Sequence, residues 1–338
     1  MTLSPPDVLD DDTDYMIAEP PDLLDRLSRL RETKPAAWVK AWGKPTVMFT
    51  SFDLVDATFR DEEAFPSAAF YGQTVTEILG RNMQCMVGEE HRRHRALVSP
   101  FFRAKNVTAI VESLLEPVLD IQNNFDHALR CSKDFMAFVE PMDDLLSSLA
   151  TEEIDGERLT DEEISNFLRL LFPAGADTTY LGLGSAIFAL LTHPEELARV
   201  RTDLRGECRW AAEEALRWSP PVALQLRANP KDVVWNGIAI PGGTPLIFAT
   251  LAANRDPAVF ADPDRFDVGR HPKAICTFCR GPHFCLGAHL ARAEMDFALR
   301  ILLERLPRLR LVDDPGVRIT ASIVPVLRGP NRLPVRFD

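Results

Sequence analysis

A long apolar stretch in the middle of the chain, FLRLLFPAGADTTYLGLGSAIFALL at residues 167–191, most constrains what this sequence can fold into. A helix that spans a membrane needs about 20 predominantly apolar residues, and this stretch approaches that length. Arg169, Asp177 and the adjacent threonines Thr178 and Thr179 interrupt it, however. We therefore predict a long helix in the core of a soluble protein, with no membrane anchor.

Amphipathic helical periodicity surrounds this segment, whereas strand patterns are short and few. The predicted helices are Pro21–Arg31, Phe52–Arg60, His91–Val98, Val107–Leu129, Pro194–Leu204, Trp210–Trp218 and Ala288–Leu306. The predicted strands lie within Thr46–Thr50, Val233–Leu251 and Val317–Phe337. No repeat or break in composition divides the chain. We predict a single, mainly α domain over residues 1–338 with a small β part, in which residues 1–19 form an acidic, loosely ordered segment.

Net charge indicates which partners are unsuitable, and the opening residues and the cysteines indicate the compartment. The 38 basic and 50 acidic residues give a net charge of −12, which argues against nucleic acid or an anionic membrane as the main partner. The opening residues MTLSPPDVLDDDTDYM are acidic and contain prolines, unlike a secretory signal. Six cysteines in 338 residues do not suggest a disulfide framework and favour a reducing compartment. We expect a cytoplasmic protein.

The decapeptide FCRGPHFCLG at residues 278–287 carries the clearest chemistry. Cys285 comes just before an alanine-rich helical pattern, where the helix dipole favours a thiolate that can bind a metal. Gly281 and Gly287 allow tight turns and the close approach of a flat ligand. Phe278 would shield one side of the sulfur. The segment therefore predicts a metal-binding thiolate in a loop that contains two glycines.

The same segment permits two interpretations. Cys276 and Cys279 form a C-x-x-C pair that, with His283 or Cys285, has the donor types of a zinc site. The decapeptide also resembles the cysteine-ligand loop of the cytochrome P450 family, Phe-x-x-Gly-x-His-x-Cys-x-Gly, and it fills every defining position. This resemblance implies haem b as the cofactor and Cys285 as the iron ligand. Position 279, often glycine in bacterial members, is cysteine here.

A glutamate and an arginine three residues apart, Glu214 and Arg217, share one face of a predicted helix. Most such pairs are surface salt bridges of little consequence. In the family, the same spacing is a buried pair completed by an arginine that precedes the ligand loop, and the resemblance points to Arg265. We expect these three residues to hold the core beneath the haem.

The segment Ala174–Thr179 lies midway along the long apolar helix. On its own, an Asp-Thr pair there indicates a helix bend or a polar network, with the threonine hydroxyl bonded to its own backbone. The segment is also similar to the oxygen-activation motif of the family, which implies that Asp177 relays protons and Thr178 steadies the oxygen. A carboxylate beside an alcohol can pass protons in a dry pocket. Pro173 predicts a bend, because proline removes a helical hydrogen bond.

A haem brings two carboxylates, which need cationic or hydrogen-bonding partners when they are buried. The haem-binding residues that the resemblance implies, besides the iron ligand, are His91, Arg95, Arg227, Phe278, His283 and Gly287. Family positions that face the haem imply an apolar substrate pocket lined by Leu170, Ala174, Val222, Leu224, Ile323 and Val324.

The resemblance implies a monooxygenase that uses O2 and NAD(P)H to hydroxylate an apolar small molecule, such as a terpene, a steroid, a fatty-acyl chain or an aromatic compound. No flavin or nicotinamide fingerprint occurs in the chain, so we expect electrons from a ferredoxin with its reductase. Arg92, Arg93 and Arg280 would offer that ferredoxin a cationic face. One alternative is a peroxide-driven haem peroxygenase, against which Asp177 and Thr178 argue. The other is a non-catalytic protein that binds zinc or haem.

One stretch of the chain is short for this family. Residues 103–159 span the place of five helices, which need about 80 residues at about 11 per helix and 5 per connection. We therefore predict a cytochrome P450 fold in which the segment between the third helix and the long central helix is either naturally shortened or incomplete in this sequence. The join is predicted near residues 119–124, in a region that would form the substrate entrance.

Overall fold

The computed structural model of the chain describes residues 3–107, 111, 149, 153, 156, 158–313, 316–322 and 325–337. The helices within these residues are α1 (Leu23–Thr33), α2 (Phe52–Arg60), α3 (Ser67–Thr74), α4 (Thr76–Leu79), α5 (Gly88–Val98), α6 (Asp161–Thr192), α7 (Pro194–Thr202), α8 (Leu204–Trp218), α9 (Thr250–Ala253) and α10 (Ala288–Arg305). The strands are β1 (Ala36–Ala41), β2 (Lys44–Phe49), β3 (Gln225–Ala228), β4 (Val233–Trp235), β5 (Ile238–Ile240), β6 (Pro245–Phe248), β7 (Arg310–Leu311), β8 (Ile319–Ala321), β9 (Arg328–Pro330) and β10 (Val335–Arg336). The predicted mainly α fold with a small β part is confirmed. Among the described helices, none is both long and apolar enough to cross a membrane.

Helix α6 is the predicted long central helix, and a capping box defines its start. The hydroxyl of Thr160 accepts the backbone N–H of Glu163 at 3.2 Å, and the Glu163 carboxylate accepts the backbone N–H of Thr160 at 2.8 Å. This exchange satisfies two amide groups that have no partner inside the helix. The helix continues through Pro173 and ends where Pro194 begins α7.

The main hydrophobic core lies between α6, α8 and α10. A Cβ atom added to Gly182 of α6 would stand 3.5 Å from the side chains of Leu216 on α8 and Met295 on α10. Small buried residues allow these helices to approach closely. The buried alanines in this core are Ala186, Ala189, Ala211, Ala212, Ala215 and Ala288.

A four-stranded sheet in the order β1-β2-β6-β3 accompanies the helices. Trp42 and Gly43 join β1 to β2 with φ angles of 51° and 73°, the left-handed conformations of a tight hairpin turn. Strand β2 pairs in parallel with β6, and β6 pairs antiparallel with β3. The sheet thus fixes the backbone position of Arg227, which lies on β3 opposite Leu246.

The prediction that residues 1–19 are loosely ordered is wrong for the part of this segment that the structure describes. Asp14 forms a β-bridge with Lys40, and its carboxylate accepts the backbone N–H groups of Trp42 and Gly43 at 3.1 and 2.6 Å. The acidic segment is ordered because its carboxylates satisfy the amide groups of the hairpin turn.

The predicted shortened segment near residues 119–124 lies outside the described residues. Most of the predicted helix Val107–Leu129 lies outside them as well. The described residues include the cysteine loop, the long central helix and the sheet.

Candidate functional site

Buried hydrogen bonds fix the start of the loop that carries Cys285. Asn254 accepts the backbone N–H of Cys276 at 2.7 Å and donates to the hydroxyl of Thr277 at 2.8 Å. Thr277 in turn donates to the carbonyl oxygen of Leu216, near the end of α8, at 2.7 Å. The loop therefore leaves the core at a position that α8 sets.

Cys285 itself lies just before the first turn of α10. Its backbone N–H donates to the carbonyl oxygen of Phe278 at 2.8 Å, which closes the loop. Burial raises the pKa of the Cys285 thiol. Three groups oppose this effect on the pKa: the backbone N–H of Gly287 and the guanidinium groups of Arg95 and Arg292. These three groups favour the thiolate, but burial outweighs them and leaves the pKa of the thiol raised.

Phe278 and Gly287, at the two ends of the decapeptide, have distinct structural roles. The ring of Phe278 is buried, and the guanidinium carbon of Arg292 lies 4.2 Å from its centroid. Gly287 is the residue that precedes α10, and its backbone N–H bonds to Cys285. Both residues therefore lie next to the cysteine.

Two residues of the loop have left-handed backbone conformations. Cys279 has a φ of 58°, at the position where the family often has glycine. Gly281 has a φ of 66°, and a Cβ atom there would lie 2.9 Å from the carbonyl oxygen of Phe59. The tight turn predicted at Gly281 is therefore present. Cys279 adopts a glycine-like conformation in spite of its side chain.

The described residues do not support the zinc interpretation, since no group of three His, Cys, Asp or Glu side chains among them could hold a metal ion. Cys276 is fully buried among apolar side chains that pack on the sheet, and burial raises its pKa to about 12. Cys285 instead packs against the core of α6, α8 and α10. The two sulfur atoms thus belong to different hydrophobic clusters.

The pair of Glu214 and Arg217 is completely buried, and two hydrogen bonds of 2.7 and 2.8 Å join the side chains. Arg217 also donates to three backbone carbonyl oxygens, those of Asn254, Pro263 and Arg265, at 2.9, 2.8 and 3.0 Å. These bonds satisfy the donors of the guanidinium, as burial of a charge requires.

The prediction that the side chain of Arg265 completes this pair is wrong. Its side chain is 60% exposed and lies 3.8 Å from Glu196, and only its backbone carbonyl reaches Arg217. Arg270 takes the third place, with its Nε atom 3.2 Å from a carboxylate oxygen of Glu214. The chain turns between Arg265 and Arg270, so that the side chain of Arg270 points back to the buried Glu214.

Four of the predicted haem-binding residues come together around the loop: His91, Arg95, Arg227 and His283. The rings of His91 and His283 have centroids 4.0 Å apart. Arg95 donates to the carbonyl oxygen of Phe284. Burial, with the nearby His283 and Arg95, lowers the pKa of His91 to about 4. Burial, with the nearby Arg227 and Arg95, lowers the pKa of His283 to about 3. The guanidinium groups of Arg95 and Arg227 therefore both lie close to His283.

Arg95 and Arg227 lack an acidic partner within the described part of the chain. Arg227 is only 6% exposed, and its guanidinium donates to the carbonyl oxygen of Leu226. Burial lowers the pKa of Arg95, which forms no ion pair with a described carboxylate. Buried charges need partners of opposite charge. A ligand with two carboxylates and a metal that binds thiolate fits this donor set, and haem b has both.

The middle of α6 differs from the loop in its exposure. Residues 172–177, which include Ala174 and Asp177, are exposed. The hydroxyl of Thr178 donates to the carbonyl oxygen of Ala174 at 2.7 Å, within its own helix. The predicted alternative in which the Thr178 hydroxyl bonds to the backbone of its own helix is therefore present. Its hydroxyl must leave that carbonyl oxygen before it can donate to a ligand.

The next residue, Thr179, bonds through its side chain to the carboxyl group of Glu294 on α10. Burial raises the pKa of Glu294, and the hydrogen bond from Thr179 opposes this effect. This contact joins the middle of α6 to the helix that follows the cysteine loop.

The residues predicted to line the pocket have different environments. Leu170 and Val222 are half-buried and Ala174 is exposed, so these three have surface available to a ligand. The prediction for Leu224 is wrong, because its side chain is 1% exposed and packs in the cluster between α1 and the sheet. The remaining two predicted positions lie outside the described residues: Ile323 and Val324.

The predicted cationic face carries mixed charge. Arg280 forms an ion pair with Asp56 at 3.0 Å, and Arg92 forms one with Glu89. Arg92 is exposed, whereas Arg93 is half-buried. Acidic residues thus neutralise part of this surface.

Three polar residues of the site were not predicted from the sequence: Arg270, Glu294 and Glu62. The carboxylate of Glu62 lies 2.6 Å from Nε2 of His283. Each of the three contacts a residue far away in the chain, so no short-range pattern identifies it.

The fold and this site define a haem-thiolate class of protein, and sequence comparison agrees. The profile described as Cytochrome P450 matches residues 119–207 and 208–318. The chain belongs to the cytochrome P450 family. It is a monooxygenase, similar to bacterial members of the family, and its cofactor is haem b.

Two relatives show the extent of the similarity. The chain is 30% identical to 6-deoxyerythronolide B hydroxylase of Saccharopolyspora erythraea, over 92% of this chain and 95% of that protein. That alignment has 386 positions, more than the 338 residues of this chain, so the relative has residues that this chain lacks. Cytochrome P450 monooxygenase PikC of Streptomyces venezuelae is 40% identical, over 58% of this chain and 47% of that protein.

Solved structures agree with the fold. The ligand-free P450 monooxygenase TamI is 26% identical with a TM-score of 0.79, over 98% of this chain and 95% of that chain. Cytochrome P450 CYP109Q5 from Chondromyces apiculatus has the same identity and TM-score, over 96% of this chain and 98% of that chain. The predicted cytochrome P450 fold is confirmed.

Proposed function

We propose that Cys285 would supply the thiolate that holds the haem iron and that the enzyme hydroxylates an apolar small molecule. The observation that supports this best is the position of the thiol just before α10, where the Gly287 N–H and the guanidinium groups of Arg95 and Arg292 oppose the effect of burial on its pKa. When bound, the haem supplies the redox chemistry that activates O2, and a thiolate ligand favours cleavage of the O–O bond.

The cations of the site hold the cofactor in this proposal. Arg95 and Arg227 bind the two haem carboxylates, and the adjacent rings of His91 and His283 support the same edge. Hydrogen bonds between charged groups are roughly twice as strong as neutral ones. The paired guanidinium groups therefore fix both the position and the orientation of the ligand.

Asp177 and Thr178 deliver protons in this proposal. The exposed carboxylate of Asp177 takes up a proton from solvent, and the Thr178 hydroxyl passes it on from Oγ1. That hydroxyl donates to Ala174 in the structure, so it rotates away from its own helix when it acts. Insertion of one oxygen atom of O2 consumes two protons and two electrons, because the other atom leaves as water. Proton delivery is therefore a step of each turnover.

The proposed substrate is largely hydrocarbon, of the terpene, steroid, fatty-acyl or aromatic classes. Leu170, Ala174 and Val222 offer apolar surface, and affinity would come from its burial. The relative 6-deoxyerythronolide B hydroxylase is named after its own substrate, and this kinship favours a product of secondary metabolism. A panel of such compounds, scored by the shift of the haem absorption band, tests the class.

We also propose that a ferredoxin, reduced by NAD(P)H through its reductase, supplies the electrons in the cytoplasm. The exposed Arg92 lies on α5, the helix that also carries His91 and Arg95. An acidic ferredoxin that docks there would reduce the protein more slowly at high salt, because salt screens the attraction. Arg92→Glu should lower the rate of reduction further. A rate that does not change with salt or with this substitution would contradict the docking site.

The spectrum of the reduced protein with bound carbon monoxide tests the main proposal. We expect Cys285→Ala to lose the absorption band of a thiolate-ligated haem. Cys276→Ala and Cys279→Ala should keep it, since neither thiol lies beside the Gly287 N–H. A protein that contains zinc and needs all three cysteines to bind it would overturn the proposal.

A further inference from the structure

The end of α2 and the loop after it contact the cysteine loop at three successive points. Asp56 forms an ion pair with Arg280 at 3.0 Å. The carbonyl oxygen of Phe59 comes so close to Gly281 that a Cβ atom there would lie 2.9 Å from it. Beyond the end of α2, the carboxylate of Glu62 contacts His283 of the loop. We call Asp56, Phe59 and Glu62 the α2 clamp.

Glu62 makes the shortest of these contacts. Its Oε1 atom lies 2.6 Å from Nε2 of His283, and the two side chains are 21% and 14% exposed. Ser67, at the start of α3, places its hydroxyl 3.0 Å from the same nitrogen and donates to the carbonyl oxygen of Gln84 at 2.8 Å. A carboxylate only accepts hydrogen bonds, so Nε2 of His283 carries a proton and donates a hydrogen bond to Glu62.

The other nitrogen of the same ring is in a different position. Nδ1 of His283 has no hydrogen-bond partner in the part of the chain that the structure describes. The ring is also held against that of His91, with centroids 4.0 Å apart and 33° between the planes. One edge of the imidazole is thus anchored to the α2 clamp, which leaves the other edge for a ligand.

We infer that Glu62 is a positioning residue for the haem, which acts by holding the imidazole of His283 at the edge where the haem carboxylates bind. The inference rests on the proposed site around Cys285. Glu62 acts in two ways. Its hydrogen bond fixes the ring, and its negative charge lies beside the pair of histidines, His283 and His91.

These two effects are separable by substitution. Glu62→Ala removes both the hydrogen bond and the charge, whereas Glu62→Gln keeps an acceptor oxygen and removes only the charge. The matched controls are Glu63→Ala and Glu63→Gln, because Glu63 is the next residue and is exposed. A charge in solvent is screened and has little effect on the site.

The experiment measures the rate of haem transfer from each loaded variant to an excess of apomyoglobin, together with the reduction potential. We expect Glu62→Ala to lose haem roughly tenfold faster than wild type, since hydrogen bonds to charged groups are among the strong ones. Glu62→Gln should lose haem more slowly than Glu62→Ala. Its potential should be more positive than that of wild type, since removal of a negative charge favours the reduced state.

Three outcomes decide the inference. Rates and potentials for Glu62→Ala and Glu62→Gln that match those of the Glu63 variants would overturn it. Faster haem loss in Glu62→Ala with an unchanged potential in Glu62→Gln would reject the charge effect. A haem spectrum that Cys285→Ala leaves unchanged would instead reject the proposed site, so the two failures are distinguishable.

Discussion

The cysteine loop and the middle of α6 adjoin the same core but are held in very different ways. The loop is anchored by buried hydrogen bonds from Asn254 and Thr277 and closed by the bond between Cys285 and Phe278. In α6, residues 172–177 are exposed, and the Thr178 hydroxyl bonds only within its own helix among the described contacts. We infer that substitutions beneath the loop affect folding, whereas substitutions in α6 affect turnover.

The largest effect is expected for Arg217→Ala. It leaves the carboxylate of Glu214 buried without its main partner, at a cost of about 3–5 kcal/mol in the free energy of unfolding. Urea denaturation and the haem content of the purified protein measure this cost. The control is Arg265→Ala, which removes an exposed side chain and should change stability by less than about 0.5 kcal/mol. Equal losses for the two variants would show that the buried pair has no special role.

Asp177→Asn should have the next largest effect, on turnover and not on folding. A positioned proton donor typically contributes about 10²–10⁴-fold, so we expect turnover to fall by about 10²-fold or more. Because Asp177 is exposed, the unfolding transition and haem content should match those of wild type. Steady-state rates with a surrogate ferredoxin and reductase measure the effect. Normal turnover in this variant would remove Asp177 from the mechanism.

Thr178→Ala should uncouple the reaction. We expect NAD(P)H consumption to continue while hydrogen peroxide replaces most of the hydroxylated product, so that product formed per NAD(P)H falls several-fold. Thr179→Ser is the matched control, since it keeps the hydroxyl that bonds to Glu294. Product, peroxide and NAD(P)H are measured in the same assay. Coupling that is unchanged in Thr178→Ala, or equally poor in the control, would contradict the role of this helix.

The smallest effect is expected for Cys279→Gly, within the loop itself. The left-handed backbone costs a residue with a side chain about 1–2 kcal/mol, but glycine also gives the unfolded chain more freedom. These effects nearly cancel, so stability should stay within about 1 kcal/mol of wild type. Cys279→Val should be clearly destabilising, because a β-branched residue is unfavourable at a φ of 58°. Thermal unfolding of the two variants distinguishes these results, and equal stability of both would contradict the role of the backbone.

The sequence predicts contiguous features well and distant contacts poorly. The predicted helix Phe52–Arg60 coincides with α2, and the predicted helix Ala288–Leu306 ends one residue beyond α10. Both have strong periodicity over a single segment. The choice between Arg265 and Arg270 is different, because it depends on a turn that residue spacing does not reveal. Both arginines lie between α8 and the cysteine loop, but only one side chain points inward.

Long-range packing explains the other errors. Leu224 has the apolar character of a pocket residue, yet the N-terminal segment and α1 cover it. The acidic residues at the start of the chain suggest disorder, but Asp14 binds the hairpin turn at Trp42. Glu62 was missed because it meets His283 across 221 residues of sequence. In each case the deciding neighbour is remote in the chain.

The parallel pairing of β2 with β6 has a consequence for synthesis of the protein. Val47 pairs beside Leu246, so most of the chain lies between the two strands. At about 5–20 residues per second, the ribosome needs roughly 10–40 s to add the second strand after the first. During that interval the edge of the hairpin formed by β1 and β2 has no partner strand. A chaperone that binds nascent chains would therefore find a long-lived target in this hairpin.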